Sequence, residues 1–478
     1  MTLKIRRYSK PISISLSPNT QKDDIWLAFK LIFQPWKWKK GRATENLENE
    51  FKNYLGLKYA FSFNSGRSAL FAILKSLNLA SETEVLLQAF TCNAAANPIL
   101  WAGLEPVYVD CNEDDFNIDV NDIERKISQR AKVLMVQHTF GLPADMEKVI
   151  DLAKRNNLIL IEDCAHSLGA EYKNQKLGTF GRAAFFSFSR DKIISSVYGG
   201  MAATNDDALA EKLRKIQSEL KYPSFYWIFQ QLVHPLLLNW IILPIYNFIN
   251  LGKIFLVLSQ WLHILSKAVH WKEKRGEKPS YFPRKLPNAL SLLAENQFKK
   301  LKTLNSRRKE IAEFYYKELA GSFLELPKKY PERKNAFLRF SVKNKKAHQI
   351  IFDAWKNRNI LVGDWYTTPI APHDTKLEKM HYRPGSCPKA EKLCGETLNL
   401  PTHINISRRD LERIIAFLRD WEQDLKGAGY ELESIERRQF DQDSRRREEA
   451  YQARRISRRR GNAEDWPNCP ARGKRKNG

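Results

Sequence analysis

Three groups of residues in this chain have types and spacings that could act together chemically. Lys192 follows the apolar run AFFSF and precedes the turn YGGMAATND; a lysine amine condenses with carbonyl carbons to a Schiff base. Asp163 ends the run LILIED, which puts a carboxylate at the carboxyl end of a buried strand, where α/β proteins gather ligands. Asn64-Ser65-Gly66-Arg67-Ser68 lies between a β-rich run and an amphipathic stretch. Its backbone N–H groups therefore face an anion at a helix N-terminus, Arg67 adds charge, and Ser65 and Ser68 add hydroxyls. A Schiff-base lysine, an acid that keeps a pyridine nitrogen protonated and a phosphate cradle are what pyridoxal phosphate asks of a protein. Each has a blander reading: such turns more often only cap helices, a strand-end Asp caps the next turn, and one lysine among 79 Lys and Arg carries little information. The order in which the three occur is what points to a cofactor.

Elements to position them are legible. Between residues 58 and 206, β-rich runs (YAFSF, EVLLQ, PVYV, VLMVQ, LILIE, AFFSF, GMAAT) alternate with helical patterns such as SALFAILKSL. There Leu70, Ile73, Leu74 and Leu77 follow the i, i+3, i+4, i+7 rule for one buried face. The alternation predicts an α/β domain with a mostly parallel sheet flanked by helices. Gly199-Gly200 is read as the sharp turn into the last strand. A smaller α+β C-terminal domain follows. The expected division is a basic-aromatic arm (1–42), a large cofactor-binding domain (43–221), a hydrophobic helical insert (222–280), a linking helix with the small domain (281–426), and a basic tail (427–478) too polar to order itself.

The insert is the oddest stretch. Residues 222–252 contain no Asp, Glu, Lys or Arg, and a second apolar run spans 254–266. Pro235 and Pro244 would break or kink a helix, and Gln230, Asn239, Asn247 and Asn250 put amides in a hydrocarbon zone. A straight membrane span is thus disfavoured against a monotopic hairpin, with Trp227, Trp240, Trp261 and Trp271 at headgroup level. A buried dimer or lid element is the competing reading. The arm segment Trp26 to Arg42 also interleaves aromatic and basic residues, and the two could form one membrane-facing patch.

Six single cysteines without metal-type spacing, and a start lacking an apolar signal core, suggest a reducing, cytoplasmic setting with no metal site. The net charge of +25 fits an anionic membrane face as well as nucleic acid, and no nucleic-acid module is evident. A peripheral seat at the inner face of the membrane is expected.

The motifs NSGRSAL, FTCNAAANPILWAGLEPVYVD, HTFGLPADMEKVIDLAKRNNLILIEDCAHSLGAEY, LGTFGRAAFFSFSRDK, NALSLLAENQFKKL and GETLNLPTHINIS resemble the DegT/DnrJ/EryC1/StrS family of sugar aminotransferases over residues 45–424, the insert excepted. The resemblance implies PLP-transferase fold type I, a homodimer, and transfer of an amino group from a donor, commonly L-glutamate, to a nucleotide- or lipid-linked keto-sugar for surface glycan or lipopolysaccharide biosynthesis. It implies that Lys192 forms the Schiff base, Asp163 bonds the pyridine nitrogen, His166 lies near the ring oxygen, Ser187 binds phosphate, and Ser65, Gly66 and Arg67 form the phosphate loop. Arg67 departs from the usual Thr. Cys92 stands where the family places a stacking aromatic, so His166, Phe90 or another side chain would cover the ring. Arg284 is the nearest candidate for a substrate clamp. A PLP-dependent sugar dehydratase ranks lower, because relatives of that type replace the lysine with histidine. A catalytically silent, membrane-associated scaffold is the reading from another class.

Overall fold

The computed structural model describes residues 10–427. All seven predicted runs form strands: β1 (Tyr59–Phe63), β2 (Glu84–Gln88), β3 (Glu105–Val109), β4 (Ala131–Gln137), β5 (Ile159–Asp163), β6 (Ala183–Ser187) and β7 (Gly200–Thr204). They join one sheet in the order β1-β7-β6-β5-β4-β2-β3. Only β7 runs antiparallel to its neighbours, and the remaining pairs are parallel. The runs are apolar without alternation because both sheet faces are covered. Leu86, Leu134, Val136 and Phe186 enter one core cluster, while Val85, Leu87, Met135 and Phe185 enter the other.

The helices that matter here are α1 (Lys22–Ile32), α2 (Ala43–Leu55), α3 (Gly66–Ser76), α4 (Asn93–Trp101), α5 (Phe225–Leu236), α6 (Leu251–Trp261) and α7 (Leu301–Glu318). α3 buries Leu70, Ile73 and Leu74 as predicted, and Leu77 falls at its C-cap. Phe51 of α2 is fully buried and meets Phe186 at 4.9 Å and Phe298 at 5.3 Å between ring centroids, joining helix to sheet. Truncating such a ring typically costs about 3–5 kcal/mol.

The arm wraps back over the fold. Ile12–Ser13 pairs in parallel with Ile360–Leu361, and the Ser13 carbonyl accepts from His403 Nε2 at 3.0 Å. Downstream, Phe340–Lys343 and Thr397–Leu400 form an antiparallel pair beside helices Ala347–Arg358 and Pro388–Glu396, the expected α+β mixture. The chain divides into a unit ending at Phe417 and one beginning at Leu418. Of the second, only the end of the helix Arg408–Gly427 is described, and the predicted tail beyond residue 427 lies outside the described residues.

The insert is a helical hairpin. α5 holds Pro235 near its end and runs on through a π-helical turn, Leu237–Ile242, because a proline's missing N–H is absorbed by a shifted hydrogen-bond register. α6 then returns. Tyr226 and Gln230 of α5 both donate to the His263 carbonyl just past the end of α6, and a side chain at Gly252 would lie 2.4 Å from the Ile242 carbonyl oxygen. Among the described residues no helix is long and apolar enough to cross a membrane.

Candidate active site

Lys192 sits in the turn after β6, its N–H donating to the Ser189 carbonyl at 3.2 Å. Its ammonium lies 4.5 Å from the centroid of Trp365. Burial lowers its pKa, and Asp191, Cys92 and Asp163 offset part of that. A residue far away in sequence fixes the turn. The Asn19 amide donates to the carbonyls of Lys192 and, at 3.0 Å, Ile193, and its oxygen accepts from buried Arg308 at 2.7 Å. Without Asn19 these buried carbonyls would lose their partner, a cost that defines the turn's shape. The sharp reversal before β7 occurs at Val197, with φ of 68°, and not at Gly199-Gly200. The glycines serve close approach instead: a Cβ on Gly200 would fall 2.4 Å from Gly66 N. A β-branched residue in the left-handed region is strained, and such strain clusters at functional turns.

Asp163 ends β5 beside that turn. Among the described residues its carboxylate accepts one hydrogen bond, from Ala165 N–H at 2.9 Å. Burial pushes its pKa up to about 6, against the lowering effects of that bond and of the Lys192 and His138 charges. A buried carboxylate with so little compensation suits a cationic N–H donor presented by a ligand.

The anion cradle forms at the start of α3. Ser65 caps the helix by accepting from Ser68 N–H at 3.0 Å, and its own hydroxyl donates to the Ser68 hydroxyl at 3.0 Å. The Ser68 hydroxyl instead donates to Asn64 Oδ1 at 2.7 Å, so it braces the loop. Gly66 is closely packed: a Cβ there would lie 3.0 Å from the Ser187 Cβ and 3.3 Å from its hydroxyl. Arg67 does not stand free as a phosphate ligand. Its guanidinium donates to Glu273 at 2.6 Å and to the Ala268 carbonyl at 2.9 Å. Both partners belong to a strap that follows the helical hairpin and closes this side. Tyr198 donates to the Lys267 carbonyl at 2.6 Å, Arg190 to Ser266 at 2.6 Å, and Ser266 onward to Gln231 of α5 at 2.9 Å.

Where a stacking aromatic was expected, the Cys92 thiol caps α4 by accepting from Ala94 N–H at 3.5 Å, and burial raises its pKa. Phe90 is wholly buried and packs edge-on to Tyr366, away from the cleft lining. The rings that line the cleft are Phe185, His166, Tyr198, Trp365, Tyr366 and His373. His166 stacks on Trp365 at 5.2 Å, and Arg339 lies over the same indole at 3.3 Å. Its Nδ1 accepts from Phe140 N–H at 3.3 Å, so the Nε2 proton points to Tyr366 Oη, 3.3 Å away. Burial, reinforced by Lys192 and Arg339, keeps this imidazole neutral.

One cavity of about 390 Å³ is lined by Ser65, Gly66, Arg67, Asp163, His166, Ser187 and Lys192. Every sequence-predicted site residue is thus brought together except Arg284, whose guanidinium donates to the Ser280 carbonyl at 2.9 Å outside the lining. A larger surface groove of about 690 Å³ contains none of them. Asn19, Glu273, Trp365, Tyr366 and Arg339 were not anticipated. Only Glu273 carried a signal, as the first acid after Glu219 in a long acid-free stretch.

Solved sugar aminotransferases share this fold. A putative sugar aminotransferase from Streptococcus pneumoniae, Spr1654 in its PMP form, superposes with a TM-score of 0.69 at 19% identity, covering 89% of this chain and 100% of that one. PseC of Helicobacter pylori, involved in pseudoaminic acid biosynthesis, superposes with a TM-score of 0.66 at 22% identity, covering 87% of this chain and 100% of that one. The chain belongs to the DegT/DnrJ/EryC1/StrS aminotransferase family, whose model matches residues 19–223 and 262–419 and so skips the hydrophobic hairpin. It is 37% identical over 193 residues to GDP-perosamine synthase of Caulobacter vibrioides, covering 40% of this chain and 52% of the synthase. The chain thus aligns with about half the length of that relative. It is 29% identical over 378 residues to dTDP-3-amino-3,6-dideoxy-alpha-D-galactopyranose transaminase of Aneurinibacillus thermoaerophilus, covering 78% and 89%.

Proposed function

We propose that this protein is a pyridoxal-phosphate-dependent aminotransferase that moves an amino group, from L-glutamate as donor, to a nucleotide- or lipid-linked keto-sugar used in surface glycan biosynthesis. The observation that carries the proposal is the convergence of Lys192, an under-compensated Asp163 and the Ser65-Gly66-Ser187 cradle on one cavity. The residues fit the cofactor. Asp163 lacks a cationic partner of the kind a pyridinium N–H offers, and the bare Gly66 leaves space at a helix N-terminus for a phosphate. Bound there, the cofactor supplies the electron sink that lets nitrogen change carriers.

The protein's own residues do the rest. Lys192, its basicity reduced by burial, would hold the cofactor between turnovers and, once displaced by the donor, carry a proton as general base and acid. Asp163 would keep the ring nitrogen protonated. His166, neutral and fixed through Phe140 N–H and Tyr366, and Trp365 would wall the ring where Cys92 cannot. Arg67, already neutralised by Glu273, would steady the loop and strap. Arg284, outside this chain's cleft, would act as a substrate clamp only across a subunit interface. The domain division predicted from sequence, a homodimer and a peripheral seat at the inner membrane face belong to the same proposal.

The test is the visible absorption spectrum of protein reconstituted with PLP, before and after L-glutamate, beside Lys192→Ala. A band that requires Lys192 and is converted by glutamate supports the proposal. A folded wild type with no Lys192-dependent band refutes it in favour of a silent scaffold.

A further inference from the structure

α6 has its polarity inside out. The residues it buries are Gly252 and Ser259, while Leu251, Ile254, Leu258 and Leu262, one helical face at i, i+3, i+7 and i+11, are exposed, as are Phe255 and Val257. An amphipathic helix in water normally presents the opposite face. The surface continues onto the arm, because Trp240 at the end of the first hairpin helix lies 5.8 Å from Trp26 and 5.6 Å from Phe29 of α1. Trp26 (55%), Trp240 (47%) and Trp261 (73%) stand exposed on it, and Trp36 (71%) is exposed in the turn after α1. An apolar surface of this extent marks an interaction site.

Its charge selects the partner. Neither residues 25–42 nor residues 220–272 contain a single Asp or Glu, whereas Lys30, Lys37, Lys40, Arg42, Lys253 and Lys267 are interspersed. A second copy meeting this face across a two-fold axis would bring mostly like charges together, because the acids of α1, Asp23 and Asp24, sit in its first turn and are already paired with Lys300. An anionic bilayer supplies both the hydrocarbon and the negative charge, and tryptophans favour its interface.

We propose that α6, the end of the first hairpin helix and α1 together form a docking surface for an anionic lipid bilayer, into which their exposed apolar side chains dip while the lysines meet headgroups. The cleft is held beside this surface. Ala268, which lines the cavity, is four residues from exposed Ile264, so the apolar face starts within roughly 14 Å of the cavity wall. The site would thus open where a sugar on a membrane-embedded carrier is presented, a consequence that rests on the aminotransferase reading. Docking itself does not.

The experiment is cosedimentation of the full chain, loaded with PLP, with vesicles of phosphatidylcholine alone or mixed with phosphatidylglycerol. It is run beside Ile254→Glu/Leu258→Glu and Lys37→Glu/Lys40→Glu, with absorption and sedimentation velocity on each. The wild type should pellet with the anionic vesicles, and each double variant should bind at least about tenfold more weakly, with the cofactor band and oligomeric state unchanged. A wild type that stays in the supernatant, or variants that pellet equally well, would overturn the proposal. So would an Ile254→Glu/Leu258→Glu chain that falls from dimer to monomer, which would assign the face to subunit contact. Because binding is read without turnover, absence of transamination would leave this result standing.

Discussion

Asp163→Asn should make the cofactor-free protein more stable at neutral pH while disabling it. In the folded chain burial raises this carboxyl from 3.8 to about 6, so the fold prefers the protonated form. The stability contribution of such a group is greatest below the unfolded value, falls as pH rises from 3.8 towards 6, and stays low above. At 1.36 kcal/mol per pH unit, holding Asp163 ionised costs the folded state about 3 kcal/mol at pH 7.5. Asparagine keeps an acceptor for Ala165 N–H and carries no charge, so most of that cost disappears; part returns because its amide protons need partners. Urea denaturation of cofactor-free wild type and variant should give a midpoint favouring the variant by about 2–3 kcal/mol near pH 7.5, shrinking to nothing near pH 4. Adding PLP should reverse the order, since only the carboxylate is rewarded by a ring N–H. A variant less stable than wild type at pH 7.5, or a difference that does not change with pH, would refute the reasoning. This trade of stability for readiness is common at active sites.

Asn19→Ala removes two neutral hydrogen bonds to the Lys192 turn and one from Arg308. It should lower stability by roughly 3–5 kcal/mol and slow the glutamate half-reaction, read by denaturation and stopped-flow absorption. Glu273→Gln leaves the Arg67 cation without its buried counter-charge, which should cost about 3–5 kcal/mol. Inorganic phosphate should then raise the melting temperature of the variant more than that of wild type; equal shifts would mean that Arg67 does not face the cradle.

Local pattern was enough for what lies along single elements. The seven strands are legible because each is a short β-rich run bounded by turn residues, and Lys192 and Asp163 because each sits just past such a run. What escaped detection depends on distant partners. Nothing near Asn19 announces that it holds a turn 173 residues away. Trp365 stacks on His166 in the cleft because two separated loops meet, and nothing in the sequence around residue 365 announces that pairing. Arg67 was read as a charge offered to an anion in the loop, and its ion pair with Glu273 needed the fold. The glycine pair was recognised, though for the wrong reason: the crowding of β7 against Ser65 and Gly66 cannot be seen in either segment alone.

The way the arm is fastened bears on the order in which the molecule is completed during synthesis. Ser13 and Asn19 leave the ribosome early, yet Ser13 is held by His403, 390 residues later, and Asn19 shares its oxygen with Arg308, 289 residues later. Long-range contacts of this kind form late in folding. The central sheet can therefore assemble on the nascent chain while the Lys192 turn still lacks its buttress. The Lys192 turn acquires its final setting only when Arg308 has emerged, so a translation product truncated before it would carry the lysine without the locked turn.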